Sequence, residues 1–438
     1  MDLKNFTIAH KILCSVYKEK AYSNIALHAH LQVYKDCDSS AITHLVYGVL
    51  QKDIVLQYII SQLVQKSPKQ SVSIILKMGI FCLRFSDMPD FACINGCVEL
   101  ANKIHKGGVT GFVNALLRKS QTVDLPKLTD NIDSLSVHFC YPKWIVQLLM
   151  DDYGLDFAKQ YMSYQSMHYT HIRHNAFKLT FEQLIQQISG NATSNLSALG
   201  AYVTGSQLKK LRHGDFAIQS LSSMLVIEAL GRNQNNSVLD LCSAPGGKAI
   251  YYLQNNPNST VLACDLHIHR LQLIQNYAKQ MGLKCFEKHK KTDDCSKAKL
   301  EIQVNDAKVY NVDFVDDFDI VLCDVPCSGL GLVHNKPDLI LFAKLQSISE
   351  LVKLQYDILC NASHYVKVGG RILYSTCTFV KAENEHIVKR FLMSNPNFEL
   401  MKISNTFIQT DCDNFIKLFP HLDDTDAFFG AVLQKVSN

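Results

Sequence analysis

Two short segments run from an apolar stretch into a loop that carries a cysteine: VLCDVPCSGLG brings Cys327 and ILYSTCTF brings Cys377. In a chain with 15 cysteines, the ordinary role of a thiol is that of a small buried hydrophobe. These two follow apolar runs of strand length instead of lying inside them, which places them where reacting groups are usually carried. A thiolate adds to electron-poor carbon. On carbon 6 of a cytosine such an addition makes the ring an enamine, so that carbon 5 can attack an electrophilic methyl group. The proton on carbon 5 must then leave and the thiolate must be expelled. Asp324, in the same stretch as Cys327, could hydrogen-bond the polar edge of the ring and assist addition if it keeps or shares a proton. Spacing does not decide which thiol adds.

A second candidate site is VLDLCSAPGGK, residues 238–248. An apolar run enters a loop with Pro245, Gly246 and Gly247, and a helix follows. Glycines let backbone approach a ligand closely, and the first turn of the helix offers unpaired N–H groups. The pattern is neither G-x-G-x-x-G nor the P-loop, which disfavours a dinucleotide or a nucleoside triphosphate. The next apolar run ends at Asp265, 18 residues after Gly247, where an acid can accept hydrogen bonds from ribose hydroxyls. Asp306, in QVNDAKVY, could close over an adenine from the third run.

The elements that must hold these groups alternate. SVLDL, TVLACDL, DIVLCDV and GRILYST have strand length, and KAIYYLQ, HRLQLIQNYAKQ, ISELVKLQYDILCNASHYV and ENEHIVKRFLM between and after them read as helices. The alternation predicts an α/β domain over 206–438, a doubly wound, Rossmann-like parallel sheet covered on both faces. Ligands of such sheets bind beyond the carboxyl ends of the strands, where the candidate residues lie. Residues 1–124 carry apolar residues at helical spacing throughout and predict an all-helical bundle. QTVDLPKLTDN reads as a linker, and 130–205, where YPKWIVQLLMDDYG looks helical and HIRHNAFKL could be a strand, as a small α+β connecting domain.

Composition narrows the classes. A length of 438 residues implies more than one core, and 47% hydrophobic with 19% charged residues describes a globular chain. The charged start and the lack of any long uninterrupted apolar stretch predict a cytoplasmic protein with no membrane partner. No C-x-x-C pair and no spaced histidine cluster occurs, so no metal is expected. The net charge of +4 is unevenly spread: residues 1–120 hold 14 basic against 8 acidic residues, the remainder 30 against 32. A basic helical module beside a neutral one fits an arm that docks RNA.

DLCSAPGGK, CDVPCSG and YSTCT, in this order, resemble the RsmB-type (Sun family) 16S rRNA cytosine-5 methyltransferases. SNIALH, THLVYGVLQ and CVELANKIHKGGVTGFVNALLRK are similar to that family's N-terminal NusB-like RNA-binding domain, and Arg173 and Asn175 in HIRHN resemble its Arg-x-Asn, so the likeness spans nearly the whole chain. The resemblance implies an enzyme that uses S-adenosyl-L-methionine and acts on 16S rRNA; a monomer is expected, although the sequence does not fix the oligomeric state. It implies that Cys242, Ser243, Ala244, Pro245, Gly246, Gly247, Lys248, Asp265, Arg270, Asp306 and Asp324 line the donor site. It also implies that Cys377 is the nucleophile and that Cys327 helps product release. There are departures. His334 and Asn335 in HNKPD replace paired arginines, Ser220 replaces an acid, TDAFF replaces Asp-Gly-Phe-Phe, and residues 285–300 read as an inserted mobile surface loop. Rival readings are a methyltransferase of tRNA or of another rRNA cytosine, and a non-catalytic RNA-binding assembly factor. The paired cysteines and the glycine loop argue against the second rival.

Overall fold

The computed structural model describes all residues except 166–168, 189–195, 198, 233–234, 289–298, 404–409 and 438. The chain divides into two compact units, residues 1–164 with 332–343, and residues 165–331 with 344–438.

The first unit is helical: α1 (Leu3–Glu19), α2 (Ser23–Val33), α3 (Ser39–Gln51), α4 (Asp53–Leu63), α5 (Gln70–Phe85), α6 (Asp90–His105), α7 (Thr110–Ser120), α8 (Ile132–Phe139), α9 (Lys143–Tyr153) and α10 (Leu155–Ser163). Apolar spacing dictates the packing. In α1, Phe6, Ile8, Ile12, Leu13 and Val16 form one buried stripe, and Asp2 caps the helix by accepting from the N–H of Asn5. SVSIILKMGIFCLRF has no polar face, and α5 accordingly runs buried through most of its length against α1, α3, α4, α6 and α7. Its one inward cation, Lys77, meets Asp53 at 2.6 Å, and the same carboxylate accepts from the Tyr17 hydroxyl. The stretch 130–205, read from sequence as one connecting domain, is divided. Helix α8 packs on α4 and belongs with the helical unit, while the strands that follow belong to the second unit.

The second unit begins with a four-stranded antiparallel sheet of β1 (Thr170–His174), β2 (Leu196–Ser197), β3 (Gly200–Val203) and β4 (Phe216–Ile218), in the order β2-β3-β1-β4. It therefore runs past residue 205. The main sheet contains β5 (Ser237–Asp240), β6 (Thr260–Asp265), β7 (Cys285–Glu287), β8 (Lys299–Val304), β9 (Phe318–Asp324), β10 (Val366–Thr376), β11 (Phe398–Leu400), β12 (Ile416–Leu418) and β13 (Phe428–Lys435). Its order is β11-β13-β10-β9-β5-β6-β8-β7, with β12 also on β13. The pairs from β10 to β7 are parallel and those of β13 antiparallel, so the expected doubly wound sheet is present with an antiparallel edge. The segment 285–300, expected to be an inserted loop, contributes β7 and the start of β8, because KLEIQV finds a parallel register on β6 and CFE one on KLEIQV. Residues 289–298 of that expectation lie outside the described residues.

Side chains alternate across each strand. Val238, Val261, Ile320 and Leu373 face helices 221–228, 247–255 and 268–281, while Leu239, Leu262, Val321 and Tyr374 face helices 345–365 and 385–394. From β5 the chain proceeds to β6 and the edge strand β7, comes back between them as β8, then crosses to the other side of β5 with β9. The order reverses between β5 and β9, the position at which an open α/β sheet leaves a crevice beyond its carboxyl ends.

Candidate active site

The loop after β5 turns at Gly246, whose φ of +99° lies in the left-handed region that glycine adopts without strain. The N–H of Gly246 donates to the carbonyl of Ser243 at 2.7 Å, and the N–H of Ser243 to that of Cys264 on β6 at 2.8 Å. These bonds hold the loop against the neighbouring strand end. Asp265, the last residue of β6 and 2% exposed, accepts from the N–H of Ala244 at 3.1 Å through Oδ2. Its Oδ1 faces Arg270 Nη1 at 3.4 Å as an ion pair and takes no hydrogen bond among the described residues. Arg270 also donates to the carbonyl of Ala244 at 3.3 Å. The loop 242–247, Asp265 and Arg270 thus form one connected group.

Asp306 follows β8 by two residues. Since Val304 pairs with Asp265, the acid is brought to the same edge, where it is exposed and accepts from the N–H of Lys308 at 3.0 Å. Asp240, at the end of β5, was not singled out by sequence although it is an acid ending an apolar run. Both its oxygens are buried without a hydrogen-bond partner among the described residues, as is Ser243 Oγ, and burial pushes the Asp240 carboxyl up to about 7. Unpaired buried polar atoms facing a glycine loop are what a polar ligand would satisfy.

Lys248, in the first turn of helix 247–255, reaches across the switch point to Asp324 at the end of β9, with Nζ–Oδ2 2.6 Å. Ser375, paired in register with Asp324 on β10, donates to its other oxygen at 3.0 Å. Three residues beyond Asp324 stands Cys327, and two beyond Ser375 stands Cys377. Because β9 and β10 are adjacent and parallel, the two thiols come together, 3.3 Å between sulfurs, both free and both partly exposed. A disulfide would need about 2.05 Å, so these are two thiols in contact. Interaction with Cys377, then burial, holds the Cys327 thiol well above the usual range.

Around the thiols are residues that sequence reasoning passed over. Glu383, fully buried, accepts from the N–H and hydroxyl of Ser328 at 2.8 and 2.5 Å and from Gln355 Nε2 at 3.1 Å. Ser328 Oγ is also 2.8 Å from Thr378 Oγ1. Glu383 reads as the start of an amphipathic helix, and only the fold turns it inward. Gly331 donates to the carbonyl of Cys377 at 3.0 Å and accepts from Ala427 at 3.1 Å; a Cβ there would lie 2.2 Å from the Ala427 oxygen. Ala427, the departure in TDAFF, has no left-handed φ and so does not require glycine.

Arg173 and Asn175 do not meet the thiols. Arg173 donates to Gln219 at 2.8 Å and to Gln254, over the ring of Tyr251, and Asn175 binds the carbonyls of Gly214 and Met281. They tie the four-stranded sheet to the helix of the glycine loop. Ser220 bonds Ser222 at 2.7 Å and precedes helix 221–228. In the helical unit His334 lies among Tyr141, Tyr161 and Tyr164, with the Tyr141 hydroxyl 3.3 Å from Nε2. Among the described residues no group of three or more acids, histidines or cysteines could hold a metal, and no helix is long and apolar enough to cross a membrane.

Residues 227–434 match the family described as 16S rRNA methyltransferase RsmB/F, and residues 6–122 match the NusB family. The chain is similar to the probable ribosomal RNA small subunit methyltransferase B of Bacillus subtilis (strain 168), 29% identical with 98% of each chain covered. It is also similar to the ribosomal RNA small subunit methyltransferase B of Pectobacterium atrosepticum, 26% identical with 98% of each covered. The crystal structure of PH0851 shares the fold over 99% of both chains, with a TM-score of 0.81 at 21% identity. NSun6 from Pyrococcus horikoshii with SFG shares it over 68% of this chain and 99% of its own, with a TM-score of 0.54 at 20% identity.

Proposed function

We propose that the protein, whose residues 227–434 match the RsmB/F methyltransferase family and residues 6–122 the NusB family, methylates carbon 5 of a cytosine in 16S rRNA, with S-adenosyl-L-methionine as donor and a covalent cysteine–cytosine intermediate. The observation that carries the reading is the pair of free thiols 3.3 Å apart at the carboxyl edge of the sheet, beside the Lys248–Asp324 ion pair.

The donor fits the residues present. Asp265 has a buried oxygen free to accept from ribose hydroxyls, the loop 242–247 presents backbone close to it, and Arg270 and Asp306 flank the same edge. When bound, S-adenosylmethionine supplies the electrophilic methyl group. The remaining work falls to side chains. The Cys377 thiolate adds to carbon 6, forming a carbon–sulfur bond and moving the ring's electron pair toward carbon 5. Asp324, held by Lys248 and Ser375, is a hydrogen-bond acceptor suited to the amino edge of the ring. After carbon 5 has gained its methyl group, loss of its proton to a base returns the electron pair, and the carbon–sulfur bond breaks to free the thiolate. Cys327, in contact with Cys377, is the group placed to assist that release. The cytosine must be unpaired or flipped out for a thiol to reach its face. Such access, with the basic helical module, supports RNA as substrate.

Cys377→Ala is expected to abolish both turnover and any protein–RNA adduct while donor binding survives. Cys327→Ala should form the bond and fail to resolve it, leaving a slow band on a denaturing gel. A trapped band with Cys377→Ala alone would reverse the assignment. No adduct with either variant despite normal RNA binding would refute the two-cysteine scheme.

A further inference from the structure

The two thiols stand on separate loops, residues 325–331 after β9 and 377–384 after β10, and neighbouring strands alone do not fix the distance between such loops. Glu383 is bonded to both. Through its side chain it holds the N–H and hydroxyl of Ser328, the residue after Cys327. Gln355, which donates to the same carboxyl group, also donates to the carbonyl of Pro326, the residue before Cys327, at 2.9 Å. Through its main chain Glu383 accepts from the buried Tyr374 hydroxyl on β10 at 2.7 Å, and Ser328 Oγ meets Thr378, the residue after Cys377. Residues on both sides of each thiol are therefore tied to one fully buried acid, all of whose named partners are neutral.

We propose that Glu383 is a positioning residue of the two-thiol site, clamping the Cys327 loop to the Cys377 loop so that the sulfurs meet and Cys327 is presented beside the nucleophile. A carboxyl group serves this better than an apolar contact because it can accept three donors at once in a water-poor place. Its nearness also works against a second negative charge on Cys327, whose thiol is held up in part by Glu383. This role rests on the two-cysteine reading of the site.

The test uses full-length protein, iodoacetamide, and peptide mass analysis of each cysteine. Glu383→Ala should raise the alkylation rate of Cys327 more than tenfold, leave the buried thiols Cys264 and Cys323 unchanged, and keep S-adenosylmethionine affinity within twofold. Glu383→Gln, which retains an acceptor for the Ser328 N–H, should restore the rate to within threefold of the parent. In turnover, the alanine variant should lose kcat more than tenfold with an unchanged KM for the donor. If the alanine variant does not fold, Glu383→Asp, one methylene too short to hold Ser328, carries the same expected partition. Cys327 indifferent to Glu383, or Cys264 and Cys323 opening in step with it, would overturn the proposal. Alkylation needs no RNA. A Glu383-dependent Cys327 in a protein that methylates no RNA would refute the functional reading alone, and a methylating enzyme whose Cys327 ignores Glu383 would refute this inference alone.

Discussion

Asp265→Ala separates the observed role of this side chain in the glycine loop from its proposed role in donor binding. Its Oδ2 is a strut for the glycine loop, through the Ala244 N–H at 3.1 Å, while Oδ1 is buried with no hydrogen bond among the described residues. If Oδ1 receives a ribose hydroxyl, the lost bond to a charged acceptor costs about 1.5–3 kcal/mol of binding, roughly a 10- to 150-fold weaker donor. Loss of the strut leaves the Ala244 N–H unpaired, worth about 1–3 kcal/mol of stability and a fall in Tm of roughly 2–4 °C per kcal/mol. Titration calorimetry with S-adenosylmethionine and a thermal melt on the same preparation read the two losses independently. Asp265→Asn keeps an oxygen acceptor and should fall between the parent and the alanine variant in affinity. A lowered Tm with donor affinity changed less than twofold would refute the binding role and leave Asp265 a loop strut.

Two further outcomes follow from charge. The Asp240 carboxyl, pushed up to about 7 by burial, stays protonated when folded through a range in which the unfolded chain, near 3.9, has already released its proton. Stability should therefore fall as pH rises from about 4 through 7, by up to about 4 kcal/mol, and Asp240→Asn should flatten that fall in thermal melts between pH 5 and 8; an unchanged slope would remove Asp240 as its source. Lys103, Lys106, Arg118 and Lys119 are exposed on α6, α7 and the turn between them. Replacing all four with alanine should weaken 16S rRNA binding and reduce the salt slope by about 3, at roughly 0.7–0.9 per phosphate contact. An equal slope in the parent and the variant would place the phosphate contacts elsewhere.

Sequence made the central sheet legible because β5, β6, β9 and β10 are buried on both faces and read as apolar runs. The antiparallel edge was not legible. FFGAVLQK carries no turn signal that would distinguish it from another parallel strand, and β7 and the first two residues of β8 lie in a segment whose charge reads as loop. Helix α9 is plain from the periodicity of YPKWIVQLLMDDYG, yet periodicity is silent about the unit it joins. Within the site, Asp265 was visible by ending a strand at the right distance from the glycines. Glu383 was not, since an acid at the head of an amphipathic helix is ordinarily solvated, and only the approach of Ser328 and Gln355 from two other segments makes it a buried acceptor.

The same register explains why 50 residues can separate two groups that must touch. In parallel neighbours Asp324 pairs with Ser375, so whatever follows the two strand ends within two or three residues emerges at one place, whatever the length of the crossover between them. The crossover is helix 345–365, and Gln355 projects from it back to Pro326 and Glu383. The connection that separates the thiols in sequence therefore also supplies a bond that holds them together. Strand order sets which loops meet, and the buried acid sets how closely. A substitution that disturbs only the second should leave the sheet and the donor loop intact while uncoupling Cys327 from Cys377, the pattern expected of Glu383→Ala.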